Sequence, residues 1–527
     1  SDRAKIFGPV GDKIFETLGD ITEASPPVST IFTIDSVEPL SSQGDGSESL
    51  PIQIAGAVVA SPIISGYPLL DLKFLDSGTI DFTNIEDVQN ISLTSSSAPV
   101  DISNLDTELD KIFVSESQSG DWKISFQPKS FGTLYLDWTN NTSSTVSLDS
   151  LTLDEVGQFA FKNSGEETIS ITLLNLDEAD TQRIEIGNDG DGNIIFGADS
   201  NLTGTSALRT ISLTTWNDGD ILLGTPGTSG LPELPQLVSI AMIASQTGNI
   251  TLGDLASTTP INKLNSISIS TEGANINIGS INAKQIQNFF ISAAEFSNIS
   301  IGDIATEEII GNMTLSGAGD ISMGAFSGEA NITIDASNMT KNGVSLNFSS
   351  VTGTIDATTT DLDDQVSLGI AGGNVVSGDG DDTITVAAEA TGNSDIRTGN
   401  GIDLINLSNT KGIDIVDPGG TEVGIVDGSA TEHTNITGDK IVNFDPSMDK
   451  IALSSITATS SNFLSETDAS SFSDALDKSN GAMELGKSFY LSYNVAGVND
   501  GFGLLFSDTD GDGISDFFIT LVGATTD

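Results

Sequence analysis

From Ile211 the chain is written in short runs that alternate apolar and small polar residues, each closed by a polar turn. Ile211-Ser212-Leu213 is followed by Ile221-Leu222-Leu223-Gly224, and Val238-Ser239-Ile240 by Ile250-Thr251-Leu252-Gly253. Ile267-Ser268-Ile269 is followed by Ile276-Asn277-Ile278-Gly279, and Phe290-Ile291-Ser292 by Ile299-Ser300-Ile301-Gly302. Met313-Thr314-Leu315 with Ile321-Ser322-Met323-Gly324, and Ile332-Thr333-Ile334 with Val344-Ser345-Leu346, continue the series. Alternation at a period of two predicts strands with one buried face. Gly253, Gly279, Gly302 and Gly324 are 26, 23 and 22 residues apart. A two-strand unit recurring at that interval cannot bury its apolar face alone, so neighbouring units must stack. The pattern therefore predicts a β-solenoid over 184–363 rather than a globular sandwich, and the lack of charged residues within these strands fits such stacking.

The rest of the chain divides around this segment. Residues 1–70 form a lead-in. The apolar spacing of Ala4 to Leu18, broken at Gly8-Pro9, predicts a short helix that either caps the next domain or anchors a partner. Ile52 to Leu70 is uncharged and about as long as a membrane span. It contains Gln53, Pro62, Gly66 and Pro68, so it reads as buried strands and turns, and no transmembrane segment is predicted. Residues 71–183 carry brief β-branched runs such as Ile91-Ser92-Leu93, Ile124-Ser125-Phe126 and Ile169-Ser170-Ile171, compatible with either a solenoid or a sandwich. Residues 364–430 are rich in glycine and aspartate and continue the coils as a roll. Residues 431–527 form a carboxyl-terminal cap, with an amphipathic helix within Phe463–Lys478 that turns Phe472, Ala475 and Leu476 inward. The cap ends in two strands within Gly503–Leu521.

The glycine-aspartate segment contains one loop twice. Ser377-Gly378-Asp379-Gly380-Asp381-Asp382-Thr383-Ile384-Thr385 aligns with Thr398-Gly399-Asn400-Gly401-Ile402-Asp403-Leu404-Ile405-Asn406, 21 residues later. Both fit G-G-x-G-x-D-x-U-x with the first glycine replaced. Glycines permit a sharp backbone that aims carbonyls inward, the aspartate supplies a hard oxygen, and the apolar U residue points into a roll core. That combination predicts Ca2+. Asp382 and Asp403 are the expected carboxylate ligands, Gly378, Gly380, Gly399 and Gly401 the carbonyl donors, and Asp379 and Asn400 further donors. Gly419-Gly420 falls one step further on but loses its aspartate. A second candidate is Asp508-x-Asp510-x-Asp512-Gly513-x-x-Asp516, where alternate carboxylates converge only if the backbone wraps around an ion. It resembles the start of an EF-hand loop, with Ile519 in place of the bidentate Glu. Asn188-Asp189-Gly190-Asp191-Gly192-Asn193 is read as a plain turn.

Charge sharpens this. Nineteen Lys and Arg face 74 Asp and Glu, a formal net charge of −55. Phosphates would repel such a chain, which excludes nucleic acid as a partner, and docking by charge to an anionic membrane is excluded likewise. The chain is nonetheless 37% hydrophobic, too apolar for a disordered acidic tail. It folds, and divalent cations are the natural counter-charge. There is no cysteine, hence no disulfide and no thiolate site. The opening residues lack a long apolar core, so no cleavable amino-terminal signal peptide is expected. His433 is the only histidine, and no G-x-S-x-G, P-loop or dinucleotide fingerprint is present. Histidine-pair zinc catalysis is excluded, and the protein is expected not to be an enzyme. Three tryptophans, Trp122, Trp138 and Trp216, are poor material for a sugar-stacking cleft.

Gly372 to Asn406 resembles the RTX repeats of calcium-binding proteins exported by bacterial type I systems. Ile441-Val442-Asn443-Phe444-Asp445-Pro446-Ser447-Met448-Asp449-Lys450-Ile451-Ala452-Leu453-Ser454 is similar to the phrase that follows their rolls, and Leu504 to Ile519 to their carboxyl-terminal secretion region. The Ser/Thr/Asn-rich solenoid upstream, with Ile85-Glu86-Asp87-Val88-Gln89-Asn90-Ile91-Ser92-Leu93-Thr94, is similar to RTX surface-layer proteins of Gram-negative bacteria. The resemblance implies an uncleaved carboxyl-terminal export signal and folding triggered by extracellular calcium. The expectation is an all-β, elongated β-solenoid with a parallel β-roll of RTX-type calcium loops and a β-rich amino-terminal region. It would be secreted to the cell surface and self-assemble into a homo-oligomeric lattice or filament. The alternative is a non-assembling adhesin that binds cell-surface polysaccharide.

Overall fold

The computed structural model describes residues 5–7, 31–34 and most of 41–522. The longer stretches outside the description are 8–30, 35–40, 96–99, 106–110, 127–131, 139–145, 177–180, 197–201, 227–233, 408–411, 419–438, 453–458 and 494–501. Among the described residues the chain is nearly all β, with a single α-helix, and forms a β-solenoid of about 15 turns built from parallel sheets. It divides into two units: Ser1–Ala283 with Ser297–Gly302, and Lys284–Phe296 with Asp303–Asp527.

In the first unit, each coil contributes one strand to each of two parallel sheets. One sheet includes the strands Gly132–Trp138, Val156–Asn163, Arg183–Asn188, Thr210–Thr215, Ser239–Ala244 and Leu264–Thr271 in that order. Their register puts Phe159, Ile184, Ile211, Ile240 and Ile267 in one inward row and Phe161, Ile186, Leu213, Met242 and Ile269 in another. The facing sheet aligns Ile169, Ile194, Ile221, Ile250, Ile276 and Ile299. All of these are buried. Apolar residues at every second position therefore become continuous columns, and each buried β-branched or aromatic side chain contributes about 1.5–3 kcal/mol. Residues 71–183 follow the same rule, since their strands pair in parallel with their neighbours, and the solenoid alternative holds there. Lys5–Phe7, placed by its apolar spacing in a helix, is instead a strand antiparallel to Ile31–Ile34. The open edge of that strand supplies backbone partners that an isolated short helix would lack. Residues 8–18 of the expected helix lie outside the described residues.

The second unit continues the device with tighter coils. One sheet stacks the strands Ser345–Asn347, Gln365–Leu368, Thr383–Val386, Leu404–Asn406 and Lys440–Val442, so that Leu346, Val366, Ile384, Ile405 and Ile441 share a buried column. The opposing sheet stacks Ile355–Thr358, Gly373–Val376, Ser394–Arg397, Asp414–Asp417 and Lys450–Ile451. The column ends at a cap. Phe517–Val522 pairs with Lys440–Val442 and then antiparallel with Phe502–Ser507, which pairs with Phe489–Tyr493. The helix Phe472–Met483, capped by Ser471 whose side chain accepts from the Asp474 N–H, buries Phe472, Ala475 and Leu476 against Tyr490, Leu504, Phe506 and Phe518. The expected helix and both closing strands are thus present. Among the described residues no helix is long and apolar enough to cross a membrane.

Candidate functional site

Both nonapeptide loops occupy equivalent places in successive coils. Gly378, Gly380, Gly399 and Gly401 have φ of 90°, 115°, 127° and 143°. They are stacked so closely that a Cβ on Gly399 would lie 2.0 Å from the Gly378 carbonyl oxygen, and one on Gly401 2.0 Å from that of Gly380. Only glycine fits there, on both conformational and steric grounds. Asn400 donates through its N–H (3.1 Å) and its Nδ2 (2.8 Å) to Asp379 Oδ1, which ties the two loops at their exposed rim.

Asp382 and Asp403 stand immediately before the strands Thr383–Val386 and Leu404–Asn406, where the first inward side chain of the coil falls. They belong to a longer column with Asp364 and Asp439. The Val344 N–H donates to Asp364 Oδ1 (2.6 Å), that of Asp364 to Asp382 Oδ1 (2.8 Å), that of Asp382 to Asp403 Oδ1 (2.9 Å), and that of Asp403 to Asp439 Oδ1 (3.0 Å). The four side chains are 3%, 1%, 1% and 0% exposed. Each carboxylate therefore uses one oxygen to close the turn of the preceding coil. The second oxygen differs along the column. In the shorter Asp364 loop, Oδ2 accepts from the Thr360 N–H (2.8 Å) and lies 3.1 Å from its hydroxyl. Among the described residues, Oδ2 of Asp382, Asp403 and Asp439 has no hydrogen-bond partner, and neither do the hydroxyls of Ser377 and Thr398. Ser377 and Thr398 lie near enough to ease the charge of Asp382 and Asp403, but not in hydrogen-bonding geometry.

Stacked, buried carboxylates resist ionisation. Burial pushes Asp382 from 3.8 up to about 7; the Ser377 hydroxyl and the Asp364 N–H pull it back, and Asp403 and Asp364 push the same way as burial. Burial likewise raises Asp439 to about 7, and it raises Asp403. A second, smaller column runs up the opposing side. The Ser394 N–H donates to Asp414 Oδ1 (3.0 Å), and the Asp414 N–H to Asp449 Oδ1 (3.2 Å). Asp449 is again raised by burial.

The sequence reading missed Asp364, Asp439, Asp414 and Asp449. The signal was there in reduced form: Asp364-Gln365-Val366, Asp439-Lys440-Ile441, Asp414-Ile415-Val416 and Asp449-Lys450-Ile451 each keep the D-x-U half of the motif, and only Asp414 keeps a glycine, Gly412, at the motif's place two residues before the aspartate. Gly419-Gly420 and His433 lie outside the described residues.

The carboxyl-terminal acidic loop is arranged differently. Asp508 is 3% exposed and accepts from the N–H groups of Gly511 (Oδ1, 2.6 Å) and Gly513 (Oδ2, 3.1 Å). Asp512 accepts from the Ile514 N–H (2.8 Å), Asp516 is exposed, and Asp510 lies outside the described residues. Here the carboxylates close a hairpin turn. Asn188 in the third acidic turn is fully buried and donates to the carbonyls of Gly192 (3.0 Å) and Asp220 (3.3 Å), as a structural turn requires.

Among the described residues no group of three or more Asp, Glu or His side chains forms a ready metal cage. The donor chemistry of the main column nevertheless suits a hard cation: three unpartnered, buried carboxylate oxygens, two unpartnered hydroxyls and glycine-rich loops, all oxygen donors. Set against protein-family models, curated proteins and solved structures, the chain matches none of them.

Proposed function

We propose that this is a secreted, calcium-dependent structural protein that assembles with copies of itself into a surface layer, extracellular matrix or filament. The observation that supports it is the column of buried aspartates with unpartnered Oδ2 atoms at Asp382, Asp403 and Asp439. A buried, unpaired charge is a cost that a fold retains only where something offsets it. Asp382, Asp403 and Asp439 would hold the cation, with the hydroxyls of Ser377 and Thr398 and carbonyls of Gly378, Gly380, Gly399 and Gly401 as further donors. Bound calcium supplies the positive charge that lets these carboxylates stay ionised inside the roll.

The net charge of −55 extends the same logic to assembly, since divalent ions can bridge surface carboxylates of neighbouring copies. At low calcium the chain repels itself, a state suited to export; outside the cell, calcium closes the roll. The chain's single histidine and its lack of a G-x-S-x-G elbow support a structural rather than a catalytic role. The test is electron microscopy and circular dichroism of the purified full chain with calcium and with a chelator. Ordered sheets or filaments that disperse on chelation, together with loss of structure in the carboxyl-terminal unit, are expected. Assembly and spectra indifferent to the chelator would overturn the proposal, and a monomer at millimolar calcium would favour the adhesin reading.

A further inference from the structure

The outward face of the first unit carries a cleft of about 620 Å³, within the ordinary range for a small-molecule site. It is lined by Tyr135, Lys162, Glu185, Asp189, Trp216 and Asn217. The strands Gly132–Trp138, Val156–Asn163 and Arg183–Asn188 form its floor, and their register puts Tyr135, Ala160 and Glu185 in one outward row and Lys162 beside Gly187. Ala160 and Gly187 leave the middle of this face low. Trp216 follows the strand Thr210–Thr215, its N–H bound to the Asn188 carbonyl (2.9 Å), and its ring lies across Gly187. A Cβ there would sit 2.8 Å from the ring.

Two aromatic rings therefore stand at either side of a bare floor, Tyr135 46% and Trp216 47% exposed. Each ring leaves about half its surface in water, apolar area that a ligand stacked on both would cover. Tyr135 and Gly187, over which the Trp216 ring lies, are two strands apart and offset by two residues along the strand, roughly 12 Å. The polar lining is already fixed: Lys162 pairs with Asp189, Arg183 with Glu185 (2.8 Å), and Asn217 donates to the Asp189 carbonyl.

We infer that this cleft binds an uncharged polysaccharide, one or two pyranose rings lying between Tyr135 and Trp216. A pyranose presents an apolar C–H face to an aromatic ring and hydroxyls around its rim, and those hydroxyls meet Lys162, Glu185, Asp189 and Asn217. An anionic polymer is disfavoured, because Lys162, the one cation among the described lining residues, is already paired and the whole chain is acidic. A purely apolar ligand would strand the charged rim. The inference is independent of calcium and goes beyond the assembly proposed above.

Affinity electrophoresis of the full chain, at millimolar calcium, through gels containing dextran, laminarin, mannan or alginate tests it. Retardation by at least one neutral polymer and none by alginate is expected, with binding about tenfold weaker in Trp216→Ala and in Tyr135→Ala. Trp216→Phe, which keeps a ring, should retain most of the binding. Phe296→Ala, at an aromatic 83% exposed in the other unit, should leave it unchanged. Unaltered circular dichroism in the alanine variants separates loss of the site from loss of the fold. No retardation by any neutral polymer, retardation by alginate alone, or undiminished binding in both alanine variants would overturn the inference.

Discussion

Asp382→Asn weighs the buried column directly. Asparagine keeps an oxygen for the Asp364 N–H, now at 2.8 Å, and puts an uncharged amide where Oδ2 has no partner. In the wild type, burial raises Asp382 from 3.8 to about 7. Because the folded value exceeds the unfolded one, folding favours the protonated acid. Its contribution is therefore whole below the unfolded value and is lost as pH climbs through about 7. A rise of this size corresponds to on the order of 4 kcal/mol of cost to the ionised folded state well above pH 7, shrinking to about 1.5 kcal/mol at pH 5. Asp439 is raised to a similar value and also couples to Asp403, so the titrations of the column are linked rather than independent. In chelator at pH 8, Asp382→Asn should raise the melting temperature of the carboxyl-terminal unit by roughly 8–16 °C, and most of that gain should vanish at pH 5. With saturating calcium at pH 8 the order should invert, because the variant has lost a ligand. Scanning calorimetry under the three conditions measures all of this. A variant no more stable than wild type in chelator at pH 8, or a gap that does not narrow on acidification, would refute the electrostatic reading of the column.

Gly401→Val places a branched side chain where φ is 143° and a Cβ would sit 2.0 Å from the Gly380 oxygen, so it should cost roughly 3 kcal/mol or more; limited proteolysis near residues 380–407 would report it. Phe472→Ala removes the ring packed 5.2 Å from Phe518 and 5.9 Å from Phe506 and should cost about 3–5 kcal/mol. Hydrogen exchange of Phe517–Val522 should then rise well before that of the sheet in the first unit.

Much of this architecture was legible because a solenoid writes its period into the chain. Ile250, Ile276 and Ile299 recur at the same place in successive coils because each must sit on the one before it. The glycine loops were legible for the same reason, since a stacked sharp turn tolerates nothing else. The aspartate column was legible only in half. Asp364 and Asp439 occupy the same structural place as Asp382 and Asp403, but their loops differ in length and lack the paired glycines, so no fixed spacing announces them. The aromatic cleft was hidden more deeply. Tyr135 and Trp216 are 81 residues apart, and only the coil register, with Ala160 and Gly187 between, brings them to one face.

Both units carry a side-chain oxygen of one coil onto an N–H of a neighbouring coil, and the second unit is set apart by the burial of its main column. In the first unit Asn249 Oδ1 accepts from the Asn275 N–H (2.9 Å) and Nδ2 (3.0 Å), and Asn275 Oδ1 from the Asn298 N–H (3.2 Å) and Nδ2 (3.0 Å). An amide both accepts and donates, so each rung satisfies the next without charge. A carboxylate cannot donate, and in the second unit a column of them is buried with Oδ2 unpartnered at three successive rungs. On the solvent-accessible ladder of the first unit aspartate serves as a rung as well, Asp220 Oδ1 accepting from the Asn249 N–H (2.7 Å) and Nδ2 (2.9 Å). What differs in the second unit is burial: a buried carboxylate oxygen without a partner is costly, and such costs concentrate at functional sites. On the function proposed above, aspartate adds a negative charge that a bound cation would offset, and folding of this unit would then be conditional on its surroundings.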